Sequence, residues 1–256
     1  MVVAAAGGVQ HDEICKLSEA AFGQLPTSSS SAPAKEPARF TGSEIRLRDD
    51  HMPVSHIALA VEGAGWQSKD HIPLLLIQSI VGSWDRALGA GQNVSSRLAQ
   101  EVQLGKTANS FMSFNTSYTD TGLFGIYLTT ESTHNQDDLM YIVYREWIRI
   151  AMNCTEMDLA RAKNQLKTSL LLQLDGTTPI AEDIGRQLLT YGRRISPQEL
   201  EAMIDRVDVK QIRSVAQKYL YDRDFALAAV GSIESLPDYN RIRLAVFFSR
   251  LLWMRC

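Results

Sequence analysis

Residues 109–131 read NSFMSFNTSYTDTGLFGIYLTTE. Two runs rich in aromatic and β-branched residues flank Asp120-Thr121-Gly122, a turn signal, so the stretch reads as a β-hairpin. Upstream, Ser43 to Arg48 alternates polar with apolar residues, and Val54, Ile57, Leu59 and Val61 form a second strand-like run. These two strands are expected to pair with each other. A helix is predicted from about Asp70 to Val81, where PLLLIQSIV is so apolar that most of its circumference should be buried. ALGAGQN then reads as a glycine-containing loop, and a short helix is predicted from Ser95 through Val102.

Downstream of the hairpin the pattern turns helical. Leu139, Ile142, Val143, Trp147 and Ile150 recur at helical spacing within Asp137 to Met152. Thr155 with Asp158 resembles a capping box that opens a helix to about Leu174. Another is predicted from near Pro179 to Gly192, a third opens in SPQELEAMID with Pro197 in its first turn, and a fourth covers Val209 to Tyr219. FALAAVGSI, from Phe225, closes as a buried strand. This order predicts an α+β fold, an antiparallel sheet covered by helices.

The beginning, MVVAAAGGVQHDEICKLSEAAFG, carries an apolar run suited to a buried strand (Val2 to Ala6), a Gly7-Gly8 break and a helical pattern of Ile14, Leu17, Ala21 and Phe22. QLPTSSSSAPAKEPA follows, without apolar periodicity, as a linker. The expected organisation is a remnant of a preceding domain at 1–24, a linker at 25–38, the main domain at 39–243 and an apolar tail at 244–256.

The 256 residues are 45% hydrophobic and 21% charged, in the globular range. A net charge of −3, with the basic residues spread out, argues against a nucleic-acid partner. No apolar run reaches the roughly 20 residues of a transmembrane helix, and no signal or transit peptide is expected. Cys15, Cys154 and Cys256 are far apart and include no C-x-x-C, so neither a disulfide framework nor a thiolate zinc site is expected, and a reducing or matrix-like compartment fits.

The residues assemble no catalytic motif. H-E-x-x-H, H-x-x-E-H, G-x-S-x-G and the phosphate-loop signatures are all missing from the sequence. DDHMPVSH brings His51 and His56 near two aspartates, but residues five apart in an extended segment point to opposite faces, which opposes chelation unless the chain turns at Pro53. His11, His71 and His134 stand singly at predicted helix starts or loops, where capping and solvation are expected. GAGQNVSS has glycines before a helix but lacks the Lys-Ser/Thr end. EDIGRQ and GRRIS could bind an anion or form a surface ion network, the blander reading.

RFTGSEIRLRDD, HIALAVEGAGW, SFNTSYTDTGLFGIY, LLQLDGTTPIAEDIGRQLLTYGRRI and AAVGSIESLPDYNRIR together resemble the C-terminal half of a family of inverzincin-type metallopeptidases. The resemblance runs from Arg39 to Arg243 and lies with the beta subunits of mitochondrial processing peptidases and their sisters, the core I subunits of respiratory complex III. It implies a two-domain subunit whose zinc-binding H-x-x-E-H belongs to the N-terminal domain, so that zinc is expected there and no cofactor in this chain, which alone should be inactive. Met1 is then expected to be an internal methionine, and MVVAAAGGVQHDE the last strand and helix of that domain. The implied full-length activity is removal of presequences from imported precursors, in the mitochondrial matrix or on the matrix side of the inner membrane.

The resemblance also implies partners: an alpha subunit or a core II-type subunit, and presequence peptides. Lys106, Phe114, Tyr118 and Glu131 are the expected substrate contacts, with Asp137 and Asp138 as further acids near the hairpin. Bacterial relatives carry an arginine and, seven residues on, a tyrosine near the start of this hairpin; here Gly105 or Lys106 and then Met112 stand in those places, so that pair is not carried over. LAVFFSRL before Trp253 also departs from the relatives' shorter close.

Overall fold

Strand β5 (Thr121–Thr130) sits in the middle of the sheet, because its neighbours on both sides leave it no free edge. The computed structural model describes residues 1–25, 36–88, 94, 96–131 and 136–243. In these, β1 (Ser43–Arg48), β2 (Ser55–Ala64), β3 (Ser83–Asp85), β4 (Ser110–Ser117), β5 and β6 (Phe225–Gly231) form one six-stranded sheet in the order β1-β6-β2-β5-β4-β3. The expected hairpin is β4–β5, with Gly122 already inside β5, paired to Ser117, so the turn is Tyr118-Thr119-Asp120. β1 and β2 do not pair, contrary to expectation. The last strand, β6, inserts between them, antiparallel to β2 and parallel to β1, which makes the sheet mixed. An apolar strand such as FALAAVG needs a partner on each side, and the two nearest in sequence to each other are separated to supply them.

The helices α2 (His71–Val81), α3 (Arg97–Gly105), α4 (Gln136–Asn153), α5 (Glu156–Gln173), α6 (Thr177–Tyr191), α7 (Pro197–Asp205) and α8 (Val209–Tyr219) follow the apolar periodicities. α3 starts at Arg97 rather than at Ser95, which lies outside the described residues; the Ser96 hydroxyl is its N-cap, accepting from the Ala99 amide. Thr155 and Asp158 form the expected reciprocal capping box of α5. α1 (His11–Phe22) forms as expected, but Val2 to Ala6 forms no strand; Val2, Ala4 and Ala6 are half-buried and the residues between them exposed. A strand needs a neighbour, and among the described residues no strand lies beside it. The tail from 244 and most of the linker lie outside the described residues.

α2 is the centre of the helical layer. Ile72, Leu74, Leu76, Ile77, Ile80 and Val81 are all buried, packed on one side against the sheet and on the other against α5 and α8. Gly82, at φ 75°, ends the helix in a conformation that L side chains rarely adopt. The Ser113 hydroxyl of β4 lies within hydrogen-bonding distance of two carbonyls of this terminus, Gln78 (2.9 Å) and Gly82 (2.7 Å), while the Gln78 amide donates back to the Ser113 carbonyl.

A second tie joins the helices. Arg149 on α4 donates to both oxygens of Glu146, which is 3% exposed, and to Asp158 at the start of α5. Burial raises the Glu146 pKa, while the Arg149 guanidinium lowers it again in part. Arg213 of α8 donates to the Cys154 carbonyl at 2.6 Å, so the α4–α5 corner and α8 are fixed together.

His71 departs from the expected solvated helix start: it is 4% exposed, with its ring 4.9 Å from that of Trp66 and its Nδ1 3.0 Å from the Ser117 hydroxyl. Burial lowers its pKa from 6.5 to about 4. The folded state therefore prefers the neutral ring, and the stability this supplies is complete above pH 6.5 and falls away as pH drops towards 4. His71→Gln should flatten the pH dependence of urea unfolding over that window, by up to about 3 kcal/mol. Ser113→Ala should lower unfolding free energy by about 1–3 kcal/mol, because it strips a hydroxyl from two carbonyls in the interior, whereas Leu76→Ala should cost about 2–5 kcal/mol through the cavity it leaves.

Candidate functional site

Every helix that packs on the sheet packs on one face, the side of Ile57, Leu59, Phe124, Ile126 and Leu227. Since side chains alternate along a strand, the register defines the other face residue by residue. One row across it runs Ile45, Ala228, Ala58, Tyr127, Met112; the next runs Leu47, Val230, His56, Thr129, Ser110; a third runs Ala226, Ala60, Gly125, Phe114. Ile45, Leu47 and Met112 are more than half exposed, and Tyr127 is 37% exposed. The middle of this open face is floored by alanines and Gly125, so it is shallow and smooth, with aromatic and thioether side chains along the β4–β5 side.

Its polar groups pair across strands. His56 Nδ1 lies 2.6 Å from the Tyr127 hydroxyl with the rings stacked, Ser110 and Thr129 hydroxyls meet at 2.6 Å, and Thr121 donates to Glu62. At the β3 end the face runs into a cleft of about 680 Å³, lined by His56, Asp85, Arg86, Ser110, Thr129 and Glu131 among others. Glu131 stands 3.8 Å from Arg86 there.

The structure separates the four expected substrate contacts. Phe114 is on the open face with its ring over Gly125, where any Cβ would run into the ring and into the Leu59 carbonyl. Glu131 lines the cleft at one end of β5, and Tyr118 is in the turn at the other end, roughly 30 Å away by strand rise. Lys106 caps α3 in the left-handed region (φ 49°), exposed and outside the cleft lining. Of the further acids, Asp137 is paired with Arg241 and Asp138 is exposed on α4. Sequence reading missed His56 and Tyr127 as one unit; the signal was the alternation of VSHIALAVE, which places His56 opposite Ile57 and Leu59, but its partner depended on the β2–β5 register.

The donor set does not fit a metal. Among the described residues no three His, Cys, Asp or Glu side chains come together to hold an ion. His56 is committed to Tyr127, and the His51 amide donates to Asp49 in a turn. His134 and the GAGQN loop lie outside the described residues, while the EDIGRQ and GRRIS charges form the surface ion network, Arg186 with Glu182 and Arg193 with Glu199. Gly125→Val should destabilise the sheet by several kcal/mol, since its side chain has backbone on one side and Phe114 on the other; Gly125→Val with Phe114→Ala should recover only part of that, as measured by thermal unfolding.

Comparison with known proteins places this geometry. The family model described as the peptidase M16 inactive domain matches residues 1–166. The mitochondrial-processing peptidase subunit beta of Blastocladiella emersonii is 56% identical over 246 residues, covering 96% of this chain and 52% of that protein. The human subunit beta is 52% identical over 256 residues, all of this chain and 51% of that protein. The chain thus spans about half the length of the curated relatives it matches. A chain of the Candida albicans complex III2 structure with Inz-5 bound superposes with a TM-score of 0.86 at 31% identity, over 94% of this chain and 57% of that one. Among the described residues no helix is long and apolar enough to cross a membrane. The chain belongs to the peptidase M16 family, as a homologue of the mitochondrial-processing peptidase beta subunits corresponding to their C-terminal, inactive-domain half.

Proposed function

We propose that this chain is the non-zinc-binding half of a processing-peptidase beta subunit and works as the wall of a substrate chamber. The observation that carries the reading is the 52–56% identity to beta subunits across nearly the whole chain. The open sheet face supports it: its floor of alanine and glycine lets an extended chain lie close against it, and among the described residues no cluster able to hold a metal accompanies it. The zinc and its ligands then belong to an N-terminal half, with an alpha subunit completing the chamber in the mitochondrial matrix. Phe114 supplies apolar contact in the middle of the floor and Glu131 an acid at its end, which favours basic presequences. Lys106 and Tyr118 act only at the margins. The likeness to a complex III chain supports a second reading, a structural core I-type subunit on the matrix side of the inner membrane paired with a core II-type partner.

The two readings separate in one experiment: join the chain to a beta-subunit N-terminal half, co-express an alpha subunit, and measure cleavage of a basic presequence peptide. Under the peptidase reading the assembly cleaves, Glu131→Gln and Phe114→Ala raise KM by about three- to tenfold with little change in kcat, and the unjoined chain does not cleave. An inactive assembly that co-purifies with complex III supports the structural reading instead.

A further inference from the structure

A pocket of about 320 Å³ lies between the N-terminal half of α4 and the segment that follows β6, with Asp137, Asp138, Tyr141 and Tyr144 on the helix side and Pro237 and Arg241 on the other. It shares no lining residue with the cleft beside β3. Its most buried polar group has no partner. Tyr144 is 4% exposed, with its ring edge-on to those of Trp147 and Phe225, yet its hydroxyl makes no hydrogen bond among the described residues. Burial raises its pKa well above the usual 10, so the hydroxyl stays protonated. Buried hydroxyls are as a rule hydrogen-bonded, and phenylalanine would fill the same space without the cost of an unpaired one. A hydroxyl kept unpaired at a pocket wall is placed for a ligand.

The exposed rim selects the charge of that ligand. Asp137 and Asp138 supply two carboxylates and Arg241 one guanidinium, so the lining is negative. Arg241 pairs with Asp137 through a side chain that is 68% exposed, and Asp138 is left to solvent. The rim also shows which cation it suits. Asp137 already takes the guanidinium of Arg241, and that of Arg145 lies 5.5 Å from the centre of the Tyr141 ring. Both are guanidinium groups of this chain, one held by charge and the other by cation–π attraction.

We infer that this pocket is a subsite for an arginine side chain of a bound peptide, which joins the Asp138 carboxylate at the rim to the unpaired Tyr144 hydroxyl inside. A guanidinium is planar, and its five N–H donors point in several directions, so one edge can bond a carboxylate while another reaches a second oxygen; an ammonium presents its donors from one atom. Met140 and Pro237 supply the apolar wall for the alkyl stem. Free arginine suits the site less, because its own carboxylate would stand against those of Asp137 and Asp138. The subsite is separate from the open sheet face and holds under either reading of the whole protein.

The test titrates the full chain with N-acetyl-arginine methylamide and follows binding by NMR, with an expected Kd of about 1 mM. The neutral citrulline analogue and free arginine should each bind about tenfold more weakly. Asp138→Asn and Tyr144→Phe should each weaken binding about three- to tenfold, whereas Glu156→Gln, which removes an equal charge from the start of α5, should change it by less than about twofold. Tyr144→Phe should also leave the ligand-free chain at least as stable to urea, which loss of a hydroxyl with a structural role would not. No binding at about 10 mM probe, equal binding of the citrulline analogue, binding indifferent to Asp138 and Tyr144, or a Tyr144→Phe chain that unfolds more readily would each overturn the subsite. Equally tight binding of free arginine would overturn its assignment to a peptide.

Discussion

A helix that is apolar round almost its whole circumference has to be enclosed, and α2 imposes that condition on this molecule. One side of it can be covered by a sheet, but the other side then needs a further layer of helices. α5 and α8 supply it, and the Arg149 and Arg213 contacts at the α4–α5 corner hold those helices in the required places. Because the helices are stacked on one face for this reason, no described helix covers the opposite face of the sheet. The candidate site is therefore a consequence of where the core had to be.

That open face is shallow and partly exposed. Its floor is alanine and glycine, so a backbone can approach closely, and its hydroxyl, imidazole and phenol groups are already paired across strands. The acids stand at its end rather than in its middle. The family model that matches is named for an inactive domain.

Helix α6 shows the opposite balance. Where α2 is enclosed on nearly every side, α6 has no fully buried residue, carries the exposed Glu182–Arg186 pair, and ends in two glycines at positive φ.

The sequence by itself determined the elements, because each depends on periodicity and local chemistry: the hairpin around Asp120, the capping box at Thr155 and Asp158, the proline at the start of α7 and the burial of α2 all formed as its residues require. It also held the likeness to the M16 family, carried in runs of residues. Tertiary structure decided what lies beside what. The insertion of β6 between β1 and β2 joins residues 164 to 183 apart, and no local pattern encodes that pairing, since an apolar strand specifies that it has two neighbours but not which. The same holds for His71, buried although it opens a helix, and for His56, whose partner Tyr127 lies on another strand. Local free energies select the conformation of a segment; only the joint burial of several segments selects the register between them, and the site lies in that register.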